Sequence, residues 1–441
     1  MRKILVPSVL LFFAVAALLP GAFRKEDIKV HTLDNGLKVL LLEDHTIPNI
    51  AYYTYFRVGA RNERPGLTGS SHFIEHMMFN GTPRIGPGEF DRRMEFAGGS
   101  NNAFTGTDMT GYTDWFPAAA LEAMIVMEAD RIQSAAFDPK VFESERGVIA
   151  SERRMGVENS NDGILSENVR ATAFMAHPYQ WGVIGWMSDI LGWKRDEVMA
   201  YYRTFYAPNN AVLIVVGDFE SAQALELIKK YYASVPAGPP PPALVTVEPP
   251  QMGPKLVLIK KEAQAPSFLA VWHGPNIASP DFYPTAVLEQ ALLGGQSSRL
   301  YRRLVREEQL AIGVGGGLGE TLDPGLFTIN VQPRPAADLD RIEAVIEEEL
   351  AKVKKDGIAD KEIQKALNIV RNDFFAGLQS IKGKAGSLGQ AEIYYGGYEK
   401  LFTFMDGYAA VTNDQVKAAA AKIFDENNKT VGKLVPQGGA K

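Results

Sequence analysis

At 441 residues the chain is too long for one ordinary hydrophobic core, so two or more domains are expected. The net charge of −6 is mild and spread out, with no basic stripe, which argues against nucleic-acid binding. There is no cysteine, which excludes disulfides and a lipid anchor on cysteine, so the fold must stand on its core.

In chain order, residues 1–22 read as a signal peptide. Arg2 and Lys3 are followed by the mostly apolar run Ile4 to Leu19 and by Pro20-Gly21-Ala22, with cleavage expected near Ala22. The run is short for a bilayer span and contains Pro7. Export of a cysteine-free chain suits a bacterial periplasm, with an uncleaved N-terminal anchor as the alternative. No later apolar stretch is long enough to span a membrane. Asp34-Asn35-Gly36 is a hairpin turn before strands at Leu37–Leu42 and Ile50–Val58. A helix is predicted over Gly66–Phe79, one strand over Asn102–Trp115, and helices over 118–136 and 141–158. The first half closes with a helix at Arg195–Phe205 and a strand at Val212–Val216.

Ala237-Gly238-Pro239-Pro240-Pro241-Pro242 and the prolines up to Pro254 make a semi-rigid linker over 237–254. It separates an N-terminal domain (23–236) from a C-terminal domain (255–441). The second half repeats the order of the first. Strands at Leu256–Ile259 and Ser267–His273 precede a helix at Asp281–Leu293. A strand at Leu326–Val331 and helices at 337–355 and 359–378 follow. A helix at Asn413–Phe424 and a strand at Val431–Leu434 close it. The expected class is therefore α+β: two similar sandwich domains related by duplication, each with helices on one face of a mostly antiparallel sheet and a cleft between them.

The strongest chemical signal is His72-Phe73-Ile74-Glu75-His76. On a helix, positions i and i+4 share a face at about 5–6 Å between Cβ atoms, so two imidazoles can close on one Zn²⁺ and Glu75 points to the same side. The order is the reverse of the H-E-x-x-H zinc-protease motif. Met77-Met78-Phe79 marks a buried helix, and histidines buried there need a partner. A catalytic zinc takes three protein ligands and leaves one position open. Glu145 and Glu152, seven residues apart, share a helical face. One can bind the ion while the other orients a histidine or the water, and the spacing leaves open which. Taken alone, either segment would read as an ordinary solvated helix surface; it is their combination that favours a metal. His31, His45, His177 and His273 are scattered and read as structural or surface residues.

The chain resembles the pitrilysin-type, or inverzincin, zinc metallopeptidases, in the branch of bacterial relatives of the mitochondrial processing peptidase. The resemblance runs through Leu33–Val39, Val58–Glu63, Gly66–Thr82, Ser100–Thr105, Glu145–Val148, Pro178-Tyr179 and Tyr206–Asn210. It implies that His72, His76 and Glu152 bind one Zn²⁺, that Glu145 is an acid supporting the ligands, and that Glu75 is the general base. It also implies that Asn102-Ala103-Phe104-Thr105 is an edge strand that binds extended peptide substrates by β-augmentation. From the residues alone, that segment reads equally well as an internal strand with polar side chains in water.

The second half departs from the family pattern. Ser297–Ile312 resembles S-S-R-L-x-x-x-L-R-x-x-x-x-L-A-Y, but Val305 and Ile312 stand where the family's arginine and tyrosine reach the substrate. Arg306 replaces that arginine only through a register shift. Gly313–Gly319 does not lead into a helix with Lys-Ser/Thr, so it reads as a strand edge or loop rather than a phosphate loop. An Arg/Tyr pair missing in cis implies supply in trans: a heterodimer in which this chain is the zinc-bearing subunit and a homologous partner carries the pair. The expected function is a zinc-dependent endopeptidase or oligopeptidase acting on unfolded peptides in a closed cavity. The alternative is a non-catalytic structural subunit of a larger assembly, which has no need to keep His72, Glu75, His76 and Glu152 together.

Overall fold

A computed structural model describes residues 23–437; the signal-peptide reading of residues 1–22 lies outside the described residues. The strands are β1 (Lys29–Thr32), β2 (Lys38–Glu43), β3 (Asn49–Phe56), β4 (Ser100–Thr105), β5 (Thr110–Pro117), β6 (Ala211–Gly217), β7 (Lys255–Lys261), β8 (Ser267–His273), β9 (Ala311–Leu318), β10 (Leu326–Pro333) and β11 (Lys429–Pro436). The helices up to the linker are α1 (Ser70–Met77), α2 (Glu89–Phe96), α3 (Leu121–Ser134), α4 (Pro139–Arg153), α5 (Asn161–Ala173), α6 (Met187–Gly192), α7 (Arg195–Phe205) and α8 (Ser221–Tyr232). Beyond it come α9 (Phe282–Leu293), α10 (Arg299–Tyr301), α11 (Leu339–Asp356), α12 (Asp360–Gly377), α13 (Ile381–Tyr394), α14 (Phe404–Ala409) and α15 (Asn413–Ile423). Among the described residues no helix is long and apolar enough to cross a membrane.

Two sheets carry the architecture, one from each side of the proline-rich segment. The first has the order β1-β2-β6-β3-β5-β4 and the second β7-β11-β8-β10-β9. After the extra β1 the two orders superimpose strand for strand. The single parallel pair falls in the same place in both, β2 with β6 and β7 with β11. This is the repeat expected from the order of elements, now visible as topology.

The strand read over Asn102–Trp115 is the hairpin β4–β5, turned at residues 106–109, where Gly106 N–H donates to Met109 O at 2.7 Å. Residues 154–158, read as the end of one long helix, leave the α-helical register for a π-helical turn after Arg153. The glycine-rich run became β9, a sheet edge paired only with β10.

The helices are not confined to one face. In the first sheet Leu37, Val39, Leu41, Ile50, Tyr52, Leu213 and Val215 face the N-terminal helices. The alternate residues Leu40, Leu42, Ala51, Tyr53, Ile214 and Val216 face Ile381, Ala385, Leu388 and Ala391 of α13, a helix of the C-terminal half. Reciprocally, Leu165, Val169 and Ala173 of α5 cover Leu269, Val271 and Leu434 of the second sheet. Strands buried on both faces lose the polar alternation of a half-exposed strand, which is why β2 and β6 read as unbroken apolar runs. Each exchanged helix comes close at a glycine. A Cβ on Gly389 of α13 would meet the Tyr55 ring at 2.1 Å, and one on Gly432 of β11 would meet Val169 at 2.3 Å. Ion pairs pin α13 further: Lys384 with Asp44 at 2.6 Å, both side chains under a tenth exposed, and Glu392 with Lys38.

Candidate metal centre

The helix α1 has only two turns, too few to hold itself in water, so its direction is imposed from outside. Its N-terminal end and the loop before it are held by two acids, Glu63 and Asp189. Glu63 Oε2 accepts from Gly69 N–H (2.7 Å) and Oε1 from Ser71 N–H (2.8 Å). Asp189 Oδ2 accepts from Gly66 N–H (2.9 Å) and from Thr68 Oγ1 (2.7 Å). Gly69 itself sits at φ +84° with Ile184 and Trp193 against it, which leaves no room for a side chain. On the inner face of α1, Phe73 packs edge-on against Phe142 of α4 at 4.7 Å and against Trp193 at 4.8 Å. That contact sets α1 and α4 side by side.

The polar faces of the two helices then converge. His72 and His76 have ring centroids 4.7 Å apart. Their Nε2 atoms lie 3.9 Å and 3.8 Å from Glu152 Oε2. One ligand atom from each of the three residues falls within 4.8 Å of the others. These separations are too long for hydrogen bonds. They are close to the spacing of donors on one tetrahedral cation, about 3.3–3.6 Å for bonds of about 2.0–2.2 Å. Two imidazoles and one carboxylate are a donor set suited to zinc, so the residues present fit that ion. Among the described residues this is the only such His/Cys/Asp/Glu group, and the C-terminal half contributes nothing to it.

Around the three donors each supporting group has a partner. His76 Nδ1 donates to Glu145 Oε1 at 2.8 Å, and Asn80 Nδ2 donates to Glu145 Oε2 at 3.0 Å. Glu75 Oε2 accepts from Thr105 Oγ1 at 2.6 Å, which brings the end of β4 to α1. His72 Nδ1 is buried with no hydrogen-bond partner among the described residues. Burial and the neighbouring His76 push the His72 pKa down to about 4, so its imidazole is neutral and free to ligate. Burial raises the Glu75 carboxyl against the pull of Thr105. The hydrogen bond from His76 holds Glu145 below the usual carboxylate range.

The four residues Asn102, Ala103, Phe104 and Thr105 lie on β4, which pairs with β5 on one side and is open on the other. Asn102 and Phe104 are exposed, while Ala103 and Thr105 turn inward. Ala103 N–H is taken by the Asn102 side chain at 3.0 Å. Val305 packs against the second core, and Ile312 is 61% exposed on β9. Arg306 is tied locally, donating to Gln296 Oε1 at 3.1 Å and lying over the Tyr301 ring. His45, His177 and His273 lie outside the metal group, bonded to Asp218, Asp323 and the carbonyl of Ala173. The supports Glu63, Asn80 and Asp189 and the pairing of Thr105 with Glu75 were not anticipated. Asp189 stands 121 residues from Thr68, and no local spacing signals that contact.

Two family models match the chain. Residues 38–185 match the family described as Insulinase (Peptidase family M16), and residues 192–370 match the domain described as Peptidase M16 inactive domain. The chain is 31% identical over 363 residues to the zinc protease PqqE of Helicobacter pylori, covering 80% of this chain and 81% of that one. It is 26% identical to YmxG of Bacillus subtilis, named an uncharacterized zinc protease, over 91% of this chain and 96% of that one. The crystal structure of a protease from Helicobacter pylori superimposes with a TM-score of 0.89 at 28% identity, covering 93% of this chain and 99% of that one. The chain belongs to the M16 peptidase family.

Proposed function

We propose that this chain is the zinc-bearing subunit of an endopeptidase that cleaves unfolded peptides. The observation that carries the reading is the convergence of His72 Nε2, His76 Nε2 and Glu152 Oε2 beside Glu75. His72, His76 and Glu152 would hold a Zn²⁺, which would supply Lewis acidity and lower the pKa of a bound water toward about 7. Glu75 takes the proton of the attacking water and passes it to the leaving amine; burial raises its carboxyl above the ordinary value, the direction that suits a general base. Thr105 holds Glu75 at the end of the substrate strand. Glu145 orients His76. An extended substrate pairs with the open edge of β4 and takes over the Ala103 N–H that Asn102 now occupies.

Valine and isoleucine at 305 and 312 cannot donate hydrogen bonds to a substrate, so a homologous partner subunit supplies an Arg/Tyr pair across the cavity. The N-terminal leader sends the chain to the periplasm. Wild type and Glu75→Gln are assayed for bound zinc and for hydrolysis of an unfolded peptide, alone and with a co-expressed homologous subunit. The reading expects zinc in both, turnover only in wild type, and a large gain from the partner. Turnover by Glu75→Gln contradicts the base, and full activity of the lone chain contradicts the partner.

A further inference from the structure

The tip of the β9–β10 hairpin, residues 319–325, reaches out of its own half. Asp323 Oδ2 accepts from Arg61 Nε at 2.5 Å and from His177 Nε2 at 3.1 Å. His177 Nδ1 accepts the Tyr179 N–H at 3.2 Å, which places the ring proton on Nε2. Asp323 N–H donates to the Tyr179 hydroxyl (3.1 Å), which donates to Asp108 Oδ1 (2.7 Å), while Leu322 N–H donates to Asp108 Oδ2 (3.2 Å). Asp108 and His177 are almost wholly buried. Apolar contacts would join two halves more cheaply than buried charges, which are costly to desolvate; what a satisfied network adds is a defined geometry.

This network grips the 106–109 turn. Ala60 N–H donates to Gly106 O at 3.2 Å and Arg61 N–H to Thr107 O at 2.9 Å. Gly59 lies so close that a Cβ there would stand 2.4 Å from Gly106 O. The residue just before the turn is Thr105, whose hydroxyl holds Glu75. A continuous path therefore runs from Asp323 through Arg61 and the turn to Thr105 and Glu75, and it passes through no metal ligand.

We propose that the hairpin of the C-terminal half is a positioning device for the N-terminal site, with Asp323 and Asp108 fixing the end of β4 and, through Thr105, the Glu75 carboxylate. The proposal rests on the peptidase reading for the role of Glu75, and gives the metal-free half a part in the reaction. A shift of about 1 Å in a reacting group costs up to about a hundredfold in rate, so a loosened turn is enough to matter.

The test compares full-length wild type, Asp323→Asn, Thr105→Val and the double variant. Hydrogen exchange in Asp323→Asn is expected to quicken at residues 100–109 and to stay unchanged in β2 and β6. The kcat for a peptide is expected to fall about tenfold, with a smaller change in KM and full zinc content. In the Thr105→Val background, Asp323→Asn is expected to cause no further loss. Unchanged exchange at 100–109, additive losses in the double variant, or loss of zinc in Asp323→Asn overturns the proposal. The exchange readout needs no turnover, so a failure of the peptidase reading, seen in Glu75→Gln, is distinguishable from a failure of the coupling.

Discussion

His76 Nδ1 donates to Glu145 Oε1 at 2.8 Å, and this bond turns the opposite ring nitrogen toward Glu152, 3.8 Å away. One carboxylate seven residues before another thus fixes the tautomer and direction of the imidazole that the second one faces. Substitution Glu145→Gln keeps an acceptor but removes the charge. Zinc affinity is expected to fall about tenfold, within the 10–100-fold range for such supporting partners, as measured by competition with a chromophoric chelator. An unchanged affinity would mean that packing alone orients His76.

The exchanged helices make a stability prediction. A Cβ on Gly432 would stand 2.3 Å from Val169 and 2.8 Å from Leu165, both on α5. Overpacking of this kind costs about 1–3 kcal/mol, so Gly432→Ala is expected to lower the urea midpoint accordingly. Gly386 on α13 has nothing within 4 Å of its added Cβ, and Gly386→Ala is expected to be neutral or to stabilise by up to about 1 kcal/mol. Equal effects at the two sites would contradict the packing of α5 on the second sheet.

Much of this was legible from the residues, and most of the rest depends on groups far apart in the chain. The H-x-x-E-H spacing and the seven-residue spacing of Glu145 and Glu152 are local, so helix geometry carries them directly to shared faces. The apolar runs of β2 and β6 announced buried strands, but nothing in them says which helix lies on the outer face. That helix, α13, begins more than 160 residues after β6 ends. The β4–β5 hairpin reads as one strand because its turn, Gly106-Thr107-Asp108-Met109, is a short break between two strand-like segments. Asp323 and Asp108 carried no signal at all, since each gains its meaning from a group in the other half.

The Asp323 carboxyl gives a pH dependence with a definite sign. Burial works to raise its pKa, but His177 and Arg61 bind the anion and hold it down to about 2, below its ordinary 3.8. The unfolded chain therefore binds more protons between those values. The stabilisation is whole above about pH 4 and is lost as the pH falls toward 2. Discounted for solvent screening at this partly exposed side chain, it amounts to about 1 kcal/mol. Urea unfolding of wild type is expected to weaken by about that much more than Asp323→Asn between about pH 5 and pH 2. Parallel curves for the two proteins would remove Asp323 from the acid response.

Anomalous diffraction at the zinc edge, on crystals of the full chain grown with zinc, tests the central claim most directly. The account predicts one strong peak about 2.0–2.2 Å from His72 Nε2, His76 Nε2 and a Glu152 carboxylate oxygen, absent in crystals of Glu152→Ala. A peak at other residues, or one that survives Glu152→Ala unchanged, would contradict it.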